Sequence, residues 1–129
     1  MPIRIVQLGT PRSAGEGVRI GAVRRPPRGV KKTDYARLDY FDVWLPELAP
    51  SEPLRKWILS AAITRQRWTT FARRFRGEMR GPVPSHLIAL LAALSAHTRF
   101  SLGCYCDEEA HCHRSLLREL LRVAGASIG

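Results

Sequence analysis

The sequence predicts a single α/β domain over residues 1–129, with a small, mostly parallel sheet flanked by helices. Short β-branched and apolar stretches lie near both ends of the chain, and amphipathic helical stretches lie between them. Strands separated by helices form parallel sheets, because the helix that connects two strands packs against a face of the sheet. The apolar content of 45% is that of a globular protein long enough to bury a core of its own.

Four strands are predicted from β-branched and aromatic residues. They lie at Ile3–Leu8, Val18–Val23, Asp39–Leu45 and Arg99–Tyr105. A Gly-Thr-Pro sequence ends the first strand. An Arg-Arg-Pro-Pro sequence ends the second, since proline has no N–H group with which to continue a central ladder. On the third strand we expect Trp44 to be a core residue.

The helices are predicted from capping residues and apolar spacing. Ser51, Thr64 and Ser85 are the expected N-caps of the first three helices, because a hydroxyl oxygen accepts a free first-turn N–H. An apolar stripe with arginines on the other faces indicates that the second helix buries one side. The stripe consists of Trp68, Phe71, Ala72, Phe75 and Met79. The corresponding stripe of the third helix consists of Leu87, Leu90, Leu91 and Leu94.

The chain is strongly basic, with 21 Lys and Arg against 11 Asp and Glu and a net charge of +10. Two blocks carry the excess: residues 1–37 have nine basic and two acidic groups, and residues 65–82 have six and one. Such blocks attract nucleic acid or phosphate-bearing ligands through long-range electrostatics. A solvated, arginine-rich surface without a partner is the alternative interpretation.

No apolar run approaches the length of a membrane span, and the N-terminal residues lack the apolar core of a signal peptide. We therefore expect a cytoplasmic protein without a membrane partner. The cytosol keeps thiols reduced, so we expect no disulfide framework from the three cysteines. The sequence indicates no oligomeric state.

All three cysteines lie in one strand–loop–helix unit at Arg99–Leu121. The helix of this unit begins near Cys112 and ends at Gly125, and its first-turn N–H groups can bind an anion. Ligands collect at the carboxyl ends of parallel strands. Three loops are expected to meet there, at residues 9–13, 24–29 and 104–114. This edge of the sheet is therefore the predicted functional site.

An anion site is the main functional prediction. Arg24, Arg28 and Arg114 are expected to gather at the helix N-terminus and bind a phosphate or a nucleotide, with Ser115 in the same first turn. The predicted partner is a phosphate-bearing small molecule. A nucleic-acid-binding module that uses the basic blocks 1–37 and 65–82 is the alternative from another class.

Cysteine-dependent chemistry would extend this anion site. A cysteine at a helix N-terminus beside an arginine has a lowered pKa, which describes Cys112, and Cys106 faces the same loop. These two cysteines are the candidate nucleophiles. Cysteine phosphatases and rhodaneses resemble the layout but space cysteine and arginine more closely, whereas seven residues separate Cys106 from Arg114. A structural thiol cluster with Arg114 paired to a carboxylate is the alternative, so the sequence leaves open whether the protein is an enzyme.

A zinc-stabilised structural domain is the third hypothesis. Cys104, Cys106 and Cys112, with either His111 or His113, supply three thiolates and an imidazole for tetrahedral zinc. The spacing is looser than the two separated ligand pairs of most structural zinc sites. The predicted metal ligands are Cys104, Cys106, Cys112 and His113, and the sequence indicates no cofactor other than this zinc.

The C-terminal motif resembles that of a known family. Leu102–Cys106 followed by Cys112–Leu117 is similar to the C-terminal signature of the family named domain of unknown function 488. Pro27–Val30 and Asp42–Pro46 also agree, and the resemblance runs from Val18 to Leu121 in matching order. It implies a compact α/β domain and a soluble bacterial or archaeal protein. It also implies a lined site made of Cys104, Cys106, Cys112, His113 and Arg114, with Arg24 and Arg28 opposite.

Overall fold

The computed structural model describes residues 2–129 and contains a four-stranded sheet. Its strands are β1 (Arg4–Gln7), β2 (Val18–Gly21), β3 (Val43–Trp44) and β4 (Phe100–Cys104). The strand order is β1-β4-β2-β3, and every neighbouring pair is parallel. The prediction of an α/β fold with a small, mostly parallel sheet is confirmed.

Four α-helices accompany the sheet: α1 (Glu52–Leu59), α2 (Arg65–Met79), α3 (Pro82–Leu94) and α4 (His113–Val123). Short 3-10 helices lie at Lys32–Asp34, Pro46–Leu48 and Glu109–His111. Two of the predicted caps are confirmed, since Ser51 Oγ accepts the Leu54 N–H at 3.3 Å and Thr64 Oγ1 accepts the Arg67 N–H at 3.1 Å. None of the helices within residues 2–129 combines the length and apolar character that crossing a bilayer requires.

The central strand β4 is buried on both faces. Phe100 and Leu102 belong to a core cluster that includes buried residues of all four helices. Ser101 points to the other face, because side chains alternate along a strand. On that face a Cβ added to Gly21 would lie 2.4 Å from a ring carbon of Phe41, so the absence of a side chain lets the aromatic ring cover the sheet. Helices therefore pack on one face, and the segment before β3 covers part of the other.

Glu16 and Arg19 form a buried ion pair on the face away from the helices. Ser101 Oγ donates to Glu16 Oε2 at 2.7 Å, and Arg19 Nη1 donates to the carbonyl oxygens of Thr10 and Asp39 at 2.8 Å each. Burial alone would raise the pKa of Glu16, but hydrogen bonds from Arg19, Ser101 and a backbone N–H outweigh it and hold the pKa at about 2. Protein groups therefore form hydrogen bonds with both the Glu16 carboxylate and the Arg19 guanidinium in the buried pair.

The prediction that Trp44 is a core residue is wrong. Its side chain is 41% exposed, because β3 is an edge strand of only two residues rather than the seven that were expected. The indole Nε1–H donates to the carbonyl oxygen of Val23 at 2.7 Å, which holds the ring along the sheet edge.

The prediction that Ser85 caps α3 is also wrong. The N-cap is Gly81, four residues before Ser85, and the helix begins at Pro82 because proline is well suited to the first helical position. The predicted apolar stripe of this helix is only partly buried. Leu90 and Leu94 are exposed, and the buried residues of the helix are Ile88, Leu91 and Ala92.

Candidate functional site

The loops that follow β1, β2 and β4 meet at the carboxyl ends of the strands. Just beyond the β1 ladder, the Leu8 N–H donates to the Cys104 carbonyl oxygen at 2.8 Å. On the other side of β4, the Ala22 N–H donates to the Gly103 carbonyl oxygen at 2.9 Å. The backbone thus joins these three loops around the end of the central strand.

The three cysteines lie together at this edge. Their Sγ atoms are all within 4.8 Å of one another, and the Sγ atoms of Cys104 and Cys106 are 3.9 Å apart. Cys104 ends β4, Cys106 lies in the following loop, and Cys112 is the N-cap residue of α4. All three thiols are free; Cys104 and Cys112 are buried and Cys106 is exposed. The group is close enough to bind a metal ion.

The three thiols differ in acidity because they contact one another. Hydrogen bonds from Cys106 and Cys112 lower the pKa of Cys104. The same contacts with Cys104 raise the pKa values of Cys106 and Cys112. The lowered pKa expected at Cys112 is therefore found at Cys104 instead, since Cys112 is buried and donates to its neighbour. Contact among the three sulfurs therefore favours ionisation of Cys104 over ionisation of the other two thiols.

His113 is buried next to Cys112. Its Nε2 lies 2.5 Å from the carbonyl oxygen of Ala22, so Nε2 carries the proton and donates it. Nδ1 is left as an acceptor and lies 3.9 Å from Cys112 Sγ. Burial lowers the pKa of His113 and favours the neutral ring. His111, the other candidate ligand, is exposed and lies 3.6 Å from Glu108, outside the group of sulfurs.

Arg114 is a buried cation with an unpaired donor. The residue is 4% exposed, and its Nη2 donates to the carbonyl oxygen of Asp107 at 3.4 Å. Within residues 2–129, Nε has no hydrogen-bond partner and no carboxylate forms an ion pair with the guanidinium. A buried charge without a counter-charge is unfavourable. The Glu109 carboxylate is close enough for Arg114 to help lower its pKa, but it forms its ion pair with Arg118, so the Arg114 guanidinium is suited to a further anionic neighbour.

The other predicted anion-binding residues make separate contacts. Arg24 donates through Nε and Nη2 to two backbone oxygens just before α1, at 3.0 and 3.1 Å. Ser115 Oγ donates to the N-cap carbonyl oxygen of α4 at 2.9 Å. Arg28 is exposed and lines a pocket whose lining residues do not include Arg24, Arg114 or Ser115. The four residues are thus not gathered around that pocket.

This pocket has a volume of about 290 Å³ and lies beside the cysteine loop. Three arginines, two tyrosines and two prolines line it, namely Arg25, Pro26, Pro27, Arg28, Tyr40, Arg55 and Tyr105. Tyr105 lies between Cys104 and Cys106 in the chain. The wall of the pocket that Tyr105 forms is therefore continuous with the cysteine group. The Tyr105 hydroxyl donates to the carbonyl oxygen of Arg25 at 2.9 Å, which connects the cysteine loop to the loop after β2.

Of these lining residues, only Arg28 was predicted from the sequence. Tyr105 could have been identified, because it lies between two cysteines of the motif. Arg25 carries the same local signal as its neighbour Arg24, so the sequence does not distinguish the two. Arg55 has no local signal, since its place depends on how α1 packs against the sheet.

A family model matches residues 3–125, which is nearly the whole chain. Its description is DUF488-N3a, Active DUF488-N3 subclade. The match agrees with the resemblance in the C-terminal motif and includes the three cysteines, His113 and Arg114. No curated protein and no solved structure matches the chain.

Proposed function

The chain belongs to the DUF488 family, and we propose that it binds a phosphate-bearing small molecule of the nucleotide type at the carboxyl ends of its strands. The observation that supports this proposal is the pocket in which three arginines surround two tyrosine rings. Ligands of parallel α/β sheets bind at this edge. The volume of about 290 Å³ is close to the lower end of small-molecule sites, which run from about 300 Å³ upward.

The charge of the pocket favours an anion. Arg25 and Arg55 share one carboxylate, that of Glu52, with N–O distances of 3.1 Å each. Arg28 forms no ion pair with any carboxylate in the described part of the chain. Two positive charges are therefore left over, and guanidinium groups bind phosphate oxygens in pairs.

The tyrosines favour a ligand that also has a planar ring. Tyr40 and Tyr105 are half-buried, and their rings meet edge to face with centroids 6.2 Å apart. A base can stack on such a ring while its phosphate reaches the arginines, and stacking on an aromatic side chain contributes about 1–3 kcal/mol. Phosphate and base together describe a nucleotide.

The cysteine group provides the chemistry in this proposal. Cys106 is its exposed member and follows Tyr105 directly, so it is the sulfur nearest in the chain to the pocket wall. The family model is described as an active subclade, which supports a reaction at this edge rather than binding alone. Three free thiols also favour a reducing compartment, and we propose the cytoplasm.

Isothermal titration of the full chain with pyrophosphate and with the common ribonucleoside diphosphates tests the proposal. We expect Arg28→Ala to weaken binding about 10–100-fold, since losing a charged hydrogen bond costs about 1.5–3 kcal/mol. Arg76→Ala on the exposed face of α2 is the matched control, because it removes the same charge away from the pocket. Absence of binding to every probe, or equal losses in the two variants, would contradict the proposal.

Nucleic-acid binding is a second candidate function, and the surface of α2 supports it. Five exposed arginines on or next to this helix have no carboxylate partner within residues 2–129, namely Arg65, Arg73, Arg74, Arg76 and Arg80. Phe71 and Phe75 of the same helix are buried in the core, so they offer no ring for base stacking. Affinity for DNA that falls steeply with salt, is lost in Arg73→Ser/Arg76→Ser and survives Arg28→Ala would favour this function.

A further inference from the structure

We propose that Cys104, Cys106 and Cys112 together bind one Zn²⁺ ion as a three-thiolate site with an open fourth coordination position. The inference goes beyond nucleotide binding and does not depend on it, because none of the three cysteines lines the arginine pocket. It assigns to the cysteine group a resident metal and a coordination type.

The sulfur positions match the geometry of zinc. Tetrahedral zinc has Zn–S bonds of about 2.3 Å, which places neighbouring sulfurs about 3.8 Å apart. The Sγ atoms of Cys104 and Cys106 are 3.9 Å apart, and no pair in the group exceeds 4.8 Å. Closing the site therefore requires a shift of about 1 Å or less. Cys106 lies in an exposed loop and can make that shift without disturbing the core.

The side-chain hydrogen bonds that link the three sulfurs run within the group itself, so metal binding would replace them without breaking a bond to the rest of the fold. No disulfide involves them. Cys112 occupies the N-cap position of α4, yet its side chain accepts no capping hydrogen bond. Cysteine is a poor substitute for the Ser, Thr, Asp or Asn that usually fills this position. Thiolate binding of a metal explains why a cysteine stands there.

Arg114 supplies the charge that such a complex needs. Zn²⁺ with three thiolates carries one net negative charge, and a nearby cation stabilises it because two of the three ligands are buried. Arg114 is 4% exposed, its Nε has no partner among the described residues, and its Nη2 donates to the carbonyl oxygen of Asp107, the residue after Cys106. The guanidinium thus lies against the loop of the exposed ligand, and the negative complex supplies the direct anionic partner that Glu109, paired with Arg118, does not.

His113 lies next to Cys112 but stands outside the ligand group. Its Nε2–H is held by the carbonyl oxygen of Ala22, as in histidines that bind or support metals, and its Nδ1 faces Cys112 Sγ at 3.9 Å. The mutually close ligand atoms within residues 2–129 are nonetheless the three sulfurs alone. Three protein ligands leave the fourth position to water or substrate, which is typical of catalytic zinc. A zinc ion held by these three cysteines would supply a Lewis acid to the proposed nucleotide function through this open position.

Zinc titration of the full-length, metal-free protein tests the inference. We expect one Zn²⁺ per chain by elemental analysis, loss of reactivity of all three thiols towards a thiol reagent, and a thiolate-to-metal charge-transfer band when Co²⁺ replaces zinc. Cys106→Ser should weaken zinc binding more than about 100-fold, because even the loss of a group that supports a ligand costs 10–100-fold. Unprotected thiols in the zinc-loaded protein, or equal affinity of Cys106→Ser, would overturn the inference.

Two controls keep the result specific. His86→Ala/His97→Ala removes two exposed histidines that could bind zinc adventitiously, and it should leave the stoichiometry and affinity unchanged. Far-ultraviolet circular dichroism of Cys106→Ser should match that of the unmodified protein, since this side chain is exposed. Failure of zinc binding with intact pyrophosphate binding overturns only this inference. The reverse pattern overturns only the nucleotide proposal.

Discussion

Arg19 Nε donates to Glu16 Oε2 over 2.8 Å, and the two side chains are 1% and 2% exposed. Removing one partner of such a pair leaves a buried charge without compensation. We expect Glu16→Gln to lower the free energy of unfolding by about 3–5 kcal/mol, measured by urea denaturation. Glu119→Gln, which breaks an exposed pair with Arg122, should cost less than about 1 kcal/mol. Similar losses in the two variants would show that the buried pair is not special.

The same pair predicts a loss of stability in acid. The pKa of Glu16 is about 2 in the folded protein against an ordinary value of 4.5, so folding favours the ionised carboxyl. The stabilisation is complete above pH 4.5 and is lost as the pH falls towards 2; by linkage it amounts to about 3 kcal/mol. Urea denaturation measured at several pH values from about 5 to 2 gives the free energy of unfolding at each pH. That free energy should fall more steeply with decreasing pH for the unmodified protein than for Glu16→Gln. The same dependence on pH in both proteins would contradict a lowered pKa of Glu16 in the folded state.

Two glycines should respond to alanine in opposite directions. A Cβ on Gly103 would lie 2.8 Å from the backbone oxygen of Val6 in the neighbouring strand, whereas a Cβ on Gly77 in α2 meets nothing within 4 Å. Gly103→Ala should destabilise the protein by about 1–3 kcal/mol through overpacking. Gly77→Ala should stabilise it by about 0.5–1 kcal/mol, since glycine weakens a helix interior. Thermal unfolding measures both changes, and a shift of the same sign in both would count against the packing of β4.

The start of α3 can be tested against that of α2. Thr64 Oγ1 accepts the Arg67 N–H, so Thr64→Ala should cost about 1 kcal/mol. Ser85 lies within the first turn of α3 and caps nothing, so Ser85→Ala should change the free energy of unfolding by less than about 0.5 kcal/mol. Chemical denaturation distinguishes the two. A loss at Ser85 as large as that at Thr64 would place the start of α3 at Ser85 after all.

Arg114→Met should weaken zinc binding about 10–100-fold, the usual effect of removing a group that supports metal ligands. The methionine keeps the buried volume but removes the charge that balances the thiolate complex. Arg67→Met is the matched control and should leave zinc affinity unchanged, because Arg67 also has a buried Nε without a partner but donates to the carbonyl oxygen of Trp57 in α1. Competition with a metal chelator measures the affinities. If Arg114→Met changes pyrophosphate affinity and not zinc affinity, the guanidinium serves the anion instead.

Local patterns predicted most of the secondary structure. Thr64 and the apolar stripe of α2 indicate where that helix begins and which side it buries, because capping and periodicity involve residues close in the chain. Trp44 was misplaced for the opposite reason. Whether an aromatic side chain is buried depends on where its strand lies in the sheet, and β3 lies at the edge.

For the candidate site too, some features were predictable from residues close in the chain and others depended on the tertiary structure. The motif from Cys104 to Arg114 brought the thiols, the histidine and one arginine together in the sequence, so their proximity was predictable. Which thiol is exposed, and which carries the lowest pKa, depends on contacts that fold the loop back on the end of β4. Spacing alone could not supply those contacts.

The amino-acid sequence by itself determined the α/β class, the family and the cysteine-bearing strand–loop–helix unit, because periodicity, caps and motif spacing are local properties. Only the tertiary structure decided that Arg25, Arg28 and Arg55 share a pocket with Tyr105, and that Glu16 and Arg19 are buried together. Both depend on burial and on contacts between distant segments, and the free energy of a buried charge is set by everything that surrounds it.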